Sequence, residues 1–128
     1  MTELKRVLYV EDDLDIQQIA AIALSTVGGL EVKISSSGEQ ALDEAEAFAP
    51  QLVLLDVMMP GLDGPSTLAK LREIPTLADT PVIFMTAKVQ PNEILHFKSL
   101  GAIDVIAKPF DPMKLADQIR SLWDLNGG

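Results

Sequence analysis

The chain alternates between two hydrophobic periodicities, one typical of β-strands and the other typical of α-helices. Five short segments rich in Val, Ile and Leu are bounded by charged or turn-forming residues and predict strands. Between and after them, apolar residues recur at helical spacing and predict five helices. The predicted strands are 5–10, 31–35, 51–56, 81–86 and 103–107, and the predicted helices are 16–27, 37–49, one that starts near 65, 92–100 and 111–123.

Regular alternation of strands and helices predicts the fold class. It favours a parallel sheet with helices on both faces, because each right-handed crossover between parallel strands needs a covering helix. The 51–56 segment is almost continuously apolar, which is typical of a strand buried on both faces. We therefore predict an α/β, doubly wound, five-stranded parallel sheet with five helices. Ligands of such sheets bind outside the carboxyl ends of the strands.

Length and composition limit the classes to which the protein can belong. Its 128 residues suit one domain, and 48% apolar residues are enough to form a core. The lack of cysteine excludes a disulfide framework, a thiolate zinc site and a cysteine nucleophile. The apolar runs are far shorter than the roughly 18 residues of a membrane span, and the N-terminus lacks a signal-peptide core. We expect a cytoplasmic protein without membrane contact.

Charge is concentrated in one half of the chain. The formal net charge is −9, and residues 1–64 hold 12 acidic and 3 basic residues, whereas residues 65–128 hold 7 of each. Contact with nucleic acid phosphates needs the opposite sign, so no direct nucleic acid binding is expected. Metal cations or basic partners suit the acidic half better.

Polar side chains lie at the ends of four predicted strands. Glu11 and Asp12 follow the first strand, Asp56 ends the third, Thr86 ends the fourth and Lys108 follows the fifth. Carboxylates on neighbouring strands repel one another unless a cation neutralises them, and oxygen ligands favour Mg²⁺ or Mn²⁺. A lysine ammonium and a threonine hydroxyl would donate to the oxygens of a tetrahedral anion. Together these groups indicate a phosphoryl-transfer site with a carboxylate nucleophile.

Two other function classes share parts of this pattern. An electron carrier of the flavodoxin type needs a Ser/Thr/Gly-rich phosphate loop after the first strand, where this chain has Glu11 and Asp12. A Mg²⁺-dependent phosphohydrolase with an aspartyl intermediate typically has a second acid two residues after its nucleophile, and that position here is Met58. Bound flavin colour would identify the first class, and turnover of generic phosphate esters would identify the second.

Four motifs, in this order, resemble the receiver domain of two-component response regulators such as the chemotaxis regulators. They are VEDD at 10–13, LLDVMMPGLDG at 54–64, MTA at 85–87 and KPF at 108–110. The resemblance extends over residues 5–124 and implies one receiver domain across 1–128, with a flavodoxin-like fold and strand order 2-1-3-4-5. We expect no output domain in the chain, as in a lone receiver or a piece of a longer protein.

The resemblance also implies roles for the strand-end residues. Asp56 would be the phospho-acceptor and would share a Mg²⁺ ion with Asp12, a direct ligand, and with Glu11, which would act through water. Met58 would contribute its backbone carbonyl to the ion. Thr86 matches the switch hydroxyl of the family.

Lys108 matches the phosphate-binding lysine of the family. The resemblance also implies a cis Lys108–Pro109 bond, a geometry that only an X–Pro bond adopts at low cost. Asp13 lies outside this set of residues and is expected to cap the first helix.

The implied function is that of a signalling module. A histidine kinase or phosphotransfer protein would supply the phosphoryl group, and the domain would catalyse only its own phosphorylation and dephosphorylation. The phosphorylated form would bind a downstream protein through the face made by the fourth helix, the fifth strand and the fifth helix.

Three features depart from the family pattern or tune it. Val105 stands where relatives commonly have Tyr or Phe, so an aromatic rotamer switch is not available. Gly64 before Pro65 gives the third helix a stiffer start. Met58 and Lys88 lie two residues after the acceptor and the switch threonine, and neither has an amide or carboxylate that could position a water. This predicts slow self-dephosphorylation.

Overall fold

The computed structural model describes residues 3–126 as an alternating series of strands and helices. The strands are β1 (Arg6–Val10), β2 (Glu31–Ser35), β3 (Leu52–Asp56), β4 (Val82–Thr86) and β5 (Asp104–Ala107). The helices are α1 (Leu14–Ala21), α2 (Gly38–Phe48), α3 (Gly64–Leu71), α4 (Pro91–Ser99) and α5 (Leu115–Leu125). A π-helical segment (Ile22–Val27) extends α1, and a 3₁₀ turn (Pro75–Leu77) follows α3.

All five strands are parallel and lie in the order β2-β1-β3-β4-β5. This confirms the predicted flavodoxin-like sheet with its five helices. The register pairs Val10 with Leu55, Asp56 with Met85 and Thr86 with Ala107. The carboxyl ends of β1, β3, β4 and β5 therefore meet at one edge of the sheet.

The core consists of two apolar layers, one on each face of the sheet. One layer joins the sheet to α1, the π-helical segment and α5, and the other joins it to α2, α3 and α4. Every residue of β3 and β4 is buried, as expected for strands that are covered on both faces. These rigid central strands carry Asp56 and Thr86 to the sheet edge.

Side-chain caps begin three of the helices where the sequence places them. The Asp13 carboxylate accepts hydrogen bonds from the backbone N–H groups of the first turn of α1. Ser37 accepts one from Gln40 N at 3.0 Å, and Asp63 accepts one from Ser66 N at 2.8 Å. Each cap satisfies N–H groups that have no partner within the helix.

Two helical predictions differ from the structure. Helical spacing over 16–27 predicts an inward face made by Ile16, Ile19, Ala20, Ala23 and Val27. In the structure Ile19 and Val27 are exposed, and Leu24 is buried. The π-helical segment causes part of this difference, because its wider turns rotate the inward face. The last helix begins at Leu115 instead of 111, because Asp111 and Pro112 form a turn in which Asp111 accepts a hydrogen bond from Met113 N.

No helix within residues 3–126 is long and apolar enough to cross a membrane.

Candidate functional site

The strand ends bring together the polar residues that the sequence analysis selected. Glu11 directly follows β1, and its N–H continues the β1–β2 ladder by donating to Ser35 O at 3.0 Å. Asp56 and Thr86 are the last residues of β3 and β4. Lys108 follows β5, and its N–H donates to Thr86 O at 2.9 Å. Backbone hydrogen bonds of the sheet thus position all four side chains.

Three carboxylates form a cluster at this edge. One oxygen each from Glu11, Asp12 and Asp56 lies within 4.8 Å of the others. Glu11 is 1% exposed and Asp56 is 4% exposed, whereas Asp12 is open to solvent. The Lys108 ammonium donates to Glu11 Oε1 at 2.8 Å and to Asp56 Oδ1 at 3.1 Å. One ammonium therefore serves a cluster that can carry three negative charges.

Burial and crowding alter the proton affinity of this cluster. Burial, opposed by the hydrogen bond from Lys108 and reinforced by the nearby Asp56, raises the pKa of Glu11 to about 7. For Lys108, burial acts to lower the pKa, but its bonds to Glu11 and Asp56 outweigh burial and raise it. The Lys108 ammonium therefore remains charged between Glu11 and Asp56, but its single positive charge can balance only one of these two buried carboxylates.

The donor set fits Mg²⁺. All three side chains offer hard oxygen ligands, and the excess negative charge is the kind that a divalent cation neutralises. Asp12 is exposed, so one side of the cluster stays open for water ligands and for a phosphoryl group. Mn²⁺ has the same ligand preference.

Thr86 and Met58 lie beside the cluster in different ways. The Thr86 side chain is buried, and its hydroxyl accepts a hydrogen bond from Lys88 N at 3.1 Å. The Met58 side chain is 79% exposed. Both residues line a cavity of about 480 Å³ between the end of β4 and α4. The Lys108–Pro109 bond is cis, as expected.

A sequence model of the response regulator receiver domain matches residues 7–120. The chain belongs to the response regulator receiver domain family. Its receiver domain is 40% identical over 118 residues to "Probable transcriptional regulator ycf27" of Cyanophora paradoxa and 36% identical over 122 residues to transcriptional regulatory protein CseB of Streptomyces avermitilis. These alignments cover 92% and 95% of the chain but only 48% and 50% of the relatives, so the chain spans about half their length.

Solved structures show the same fold. The chemotaxis response regulator CheY4 of Vibrio cholerae superposes with a TM-score of 0.85 at 27% identity, covering 93% of this chain and 98% of the other. The receiver domain of a DNA-binding response regulator from Colwellia psychrerythraea has a TM-score of 0.80 at 27% identity, covering 94% and 98%. The site geometry described above therefore stands on a receiver fold.

Three residues that the sequence analysis did not assign to the site also contact it or the loop after β3. Gln17 donates to the backbone oxygen of Glu11 at 2.6 Å. Glu39 on α2 accepts a hydrogen bond from Leu62 N at 3.0 Å and so holds the loop that follows β3. Gly64 lies so close to the acceptor strand that a Cβ there would stand 2.5 Å from Asp56 O. Of these, only the glycine before a proline left a signal in the sequence, and that signal indicated a stiff helix start instead of a close approach.

Proposed function

We propose that Asp56 accepts a phosphoryl group from the phosphohistidine of a histidine kinase or phosphotransfer protein, with Mg²⁺ held by Glu11, Asp12, Asp56 and the Met58 carbonyl. The observation that carries this proposal is the position of Asp56. It is a buried carboxylate at the end of a central strand, bonded to Lys108 and within 4.8 Å of two further acids. A buried aspartate surrounded in this way suits nucleophilic catalysis better than structural pairing.

The transfer needs only the donor, this site and solvent. An Asp56 oxygen forms the new bond to phosphorus while the bond from phosphorus to the histidine nitrogen breaks, and its electron pair stays on the imidazole, which takes up a proton from solvent. Lys108 and the Thr86 hydroxyl donate to the phosphoryl oxygens. Mg²⁺ supplies neutralisation of the oxygen charges. The domain thus modifies only itself, and we place this reaction in the cytoplasm.

An apolar groove beside the site supports a protein as the donor. The groove has a volume of about 350 Å³ and ends at Lys108. Exposed apolar surface next to a reactive group is typical of a docking site for another protein. Its lining residues are Ile16, Ile19, Ala87, Lys108, Pro109 and Phe110.

Incubation with a small acyl phosphate and Mg²⁺ tests the acceptor. We expect intact-mass spectrometry to show one added phosphoryl group, none after Asp56→Asn, and none when EDTA removes the metal. Asp104→Asn is the matched control, because Asp104 lies at the opposite end of β5 and bonds only to its own neighbour Val105 N among the described residues. Undiminished labelling of Asp56→Asn, or labelling in EDTA, would contradict the proposal.

We further propose that phosphorylation is read by a downstream protein on the face of α4, β5 and α5. Val105 is half-buried and packs against the core beside Phe84, so it offers no swinging aromatic. The cavity between Thr86 and α4 lets residues 87–100 shift when the Thr86 hydroxyl moves toward a phosphoryl group.

Amide hydrogen exchange tests this readout. Phosphorylation is expected to change the exchange rates most in residues 87–100, because the cavity leaves α4 free to repack. The α2 amides are the internal reference, since α2 does not border the cavity. A change confined to the loop at 58–63 would show that α4 is not the readout.

A further inference from the structure

The Tyr9 hydroxyl stands out among the buried polar groups of the protein. Tyr9 is the only tyrosine of the chain, and its side chain is 0% exposed. Within the part of the chain that the structure describes, its hydroxyl is the one buried side-chain polar atom with no hydrogen-bond partner. A buried hydroxyl without a partner destabilises the fold, and phenylalanine would fill nearly the same volume without that cost.

Tyr9 lies in the strand that leads to the acidic cluster. It precedes Glu11, the residue directly after β1, by two positions, so the two side chains leave the chain on the same face of the sheet. The register places Glu11 level with Asp56 on the neighbouring strand, one step beyond the Val10–Leu55 pair. Burial raises the pKa of Tyr9, and the negative charges of Glu11 and Asp56 raise it further. Tyr9 and the two buried carboxylates lie on the same face of the sheet, because Tyr9 and Glu11 are two residues apart and Glu11 is level with Asp56.

Glu11 depends on Lys108 for its hydrogen bonds. The Lys108 ammonium donates to it at 2.8 Å, and the only other donor to its carboxylate among the described residues is Asp13 N at 3.3 Å. When Lys108 turns to a phosphoryl group on Asp56, the buried Glu11 carboxylate loses its strongest hydrogen-bond donor from the protein. The Tyr9 hydroxyl is the buried donor that is free to replace it.

We propose that Tyr9 is a positioning residue whose hydroxyl donates to the Glu11 carboxylate, directly or through one buried water, when Lys108 leaves it. The exchange keeps the Glu11 side chain in place, and it moves no proton between groups. Its role during signalling rests on the proposed function, because phosphorylation is what draws Lys108 away. The exchange itself depends only on the absence of the ammonium.

A double-mutant cycle measures this exchange without any phosphorylation. We choose an Asp56→Asn background, in which removal of the lysine by Lys108→Met leaves one buried carboxylate instead of two. With Lys108 present, Tyr9→Phe is expected to leave the urea midpoint unchanged or to raise it. With Lys108→Met, Tyr9→Phe is expected to lower it. Tyr9→Leu is the packing control, and the additional loss that it causes relative to Tyr9→Phe should be the same in both backgrounds.

The single tyrosine allows a direct spectroscopic test. With ¹³Cζ-labelled tyrosine, the one resonance should shift between the Asp56→Asn protein and its Lys108→Met derivative, and in the parent when acyl phosphate and Mg²⁺ are added. A Tyr9→Phe effect that is equal in both backgrounds, with an unmoved resonance, would overturn the exchange while leaving Asp56 phosphorylation intact. Failure of the parent to be phosphorylated would instead contradict the proposed function and leave the cycle interpretable.

Discussion

The amino edge of the sheet, where its strands begin, and the carboxyl edge, where they end, differ in how their charged side chains are paired and buried. At the amino edge, Arg6 pairs with Glu31 at 2.9 Å, lies 4.4 Å from the centre of the Phe48 ring and donates to the Phe48 carbonyl. The Gln51 side chain accepts from Lys5 N at 2.6 Å and from Arg6 N at 2.9 Å. Each of these charged and polar groups therefore has a partner, and the Arg6–Glu31 pair is open to solvent.

At the carboxyl edge, the negative charges outnumber the positive ones, and two of the three acids are buried. Glu11 and Asp56 are buried, Asp12 adds a third negative charge, and Lys108 is the single ammonium bonded to the cluster. Exposed pairs such as the one at the amino edge contribute little to stability, whereas buried charges without a partner are costly. The amino edge is therefore stable as it stands, whereas the carboxyl edge carries the excess charge that a cation neutralises under the proposed function.

Mg²⁺ provides the largest expected effect. We expect it to bind only the folded cluster, so a concentration about one hundred times its Kd should raise the free energy of unfolding by about 2.7 kcal/mol. Asp12→Asn should weaken this effect and, by removing repulsion, stabilise the metal-free protein. Thermal melts with and without Mg²⁺ measure both.

Glu31→Gln is the control from the amino edge, where loss of one exposed acid should leave the Mg²⁺ effect unchanged. If millimolar Mg²⁺ left the melting temperature of the parent unchanged, the expected difference in cation binding between the two edges would be wrong.

The second effect is on pH dependence. The pKa of Glu11 is near 7 in the metal-free fold and near 4.5 in the unfolded chain, so the folded state binds more protons between these values. Its contribution to stability is therefore present below about pH 4.5 and is lost as the pH rises through 7. Each unit of pKa difference corresponds to about 1.4 kcal/mol. The raised pKa of Lys108 matters only at alkaline pH.

Urea titrations of the metal-free protein at pH 5 and pH 8 measure this contribution. Glu11→Gln should reduce the loss of stability that the parent shows between pH 5 and pH 8, while Glu31→Gln should not change that loss. Equal pH profiles for the parent and Glu11→Gln would show that the buried acid is not perturbed.

The smallest effect concerns the lifetime of the phosphoryl group. Met58 and Lys88 both line the cavity beside the site, and neither has an amide or carboxylate that could orient a water toward phosphorus. We expect slow loss of phosphate from the parent and loss about tenfold faster with Met58→Asn and Lys88→Glu together, which corresponds to about 1.4 kcal/mol in the barrier.

Phosphate release after removal of the donor gives this rate. Met113→Asn with Lys114→Glu is the matched control, because that exposed Met–Lys pair lies outside the cavity. A parent lifetime of seconds, unchanged by the first pair of substitutions, would contradict the role of the cavity residues.

The ends of the strands and the caps of three helices were determined by the local sequence. The β2 segment has the predicted bounds 31–35, and the other strands end at the predicted residues, because apolar runs stop where charged or turn-forming residues begin. Asp13, Ser37 and Asp63 cap helices through bonds that span two or three residues. The strand-end positions of Asp56, Thr86 and Lys108 followed from the same alternation.

Tertiary structure alone decided which of those groups bond and which do not. Lys108 reaches Glu11 across 97 residues and Asp56 across 52, and no local pattern specifies such contacts. The burial of Glu11 that raises its pKa, and the isolation of the Tyr9 hydroxyl, likewise depend on neighbours from other strands and helices. The sequence shows which residues end each strand. Their charge and proton affinity arise only when the parallel register places those ends together and excludes water from them.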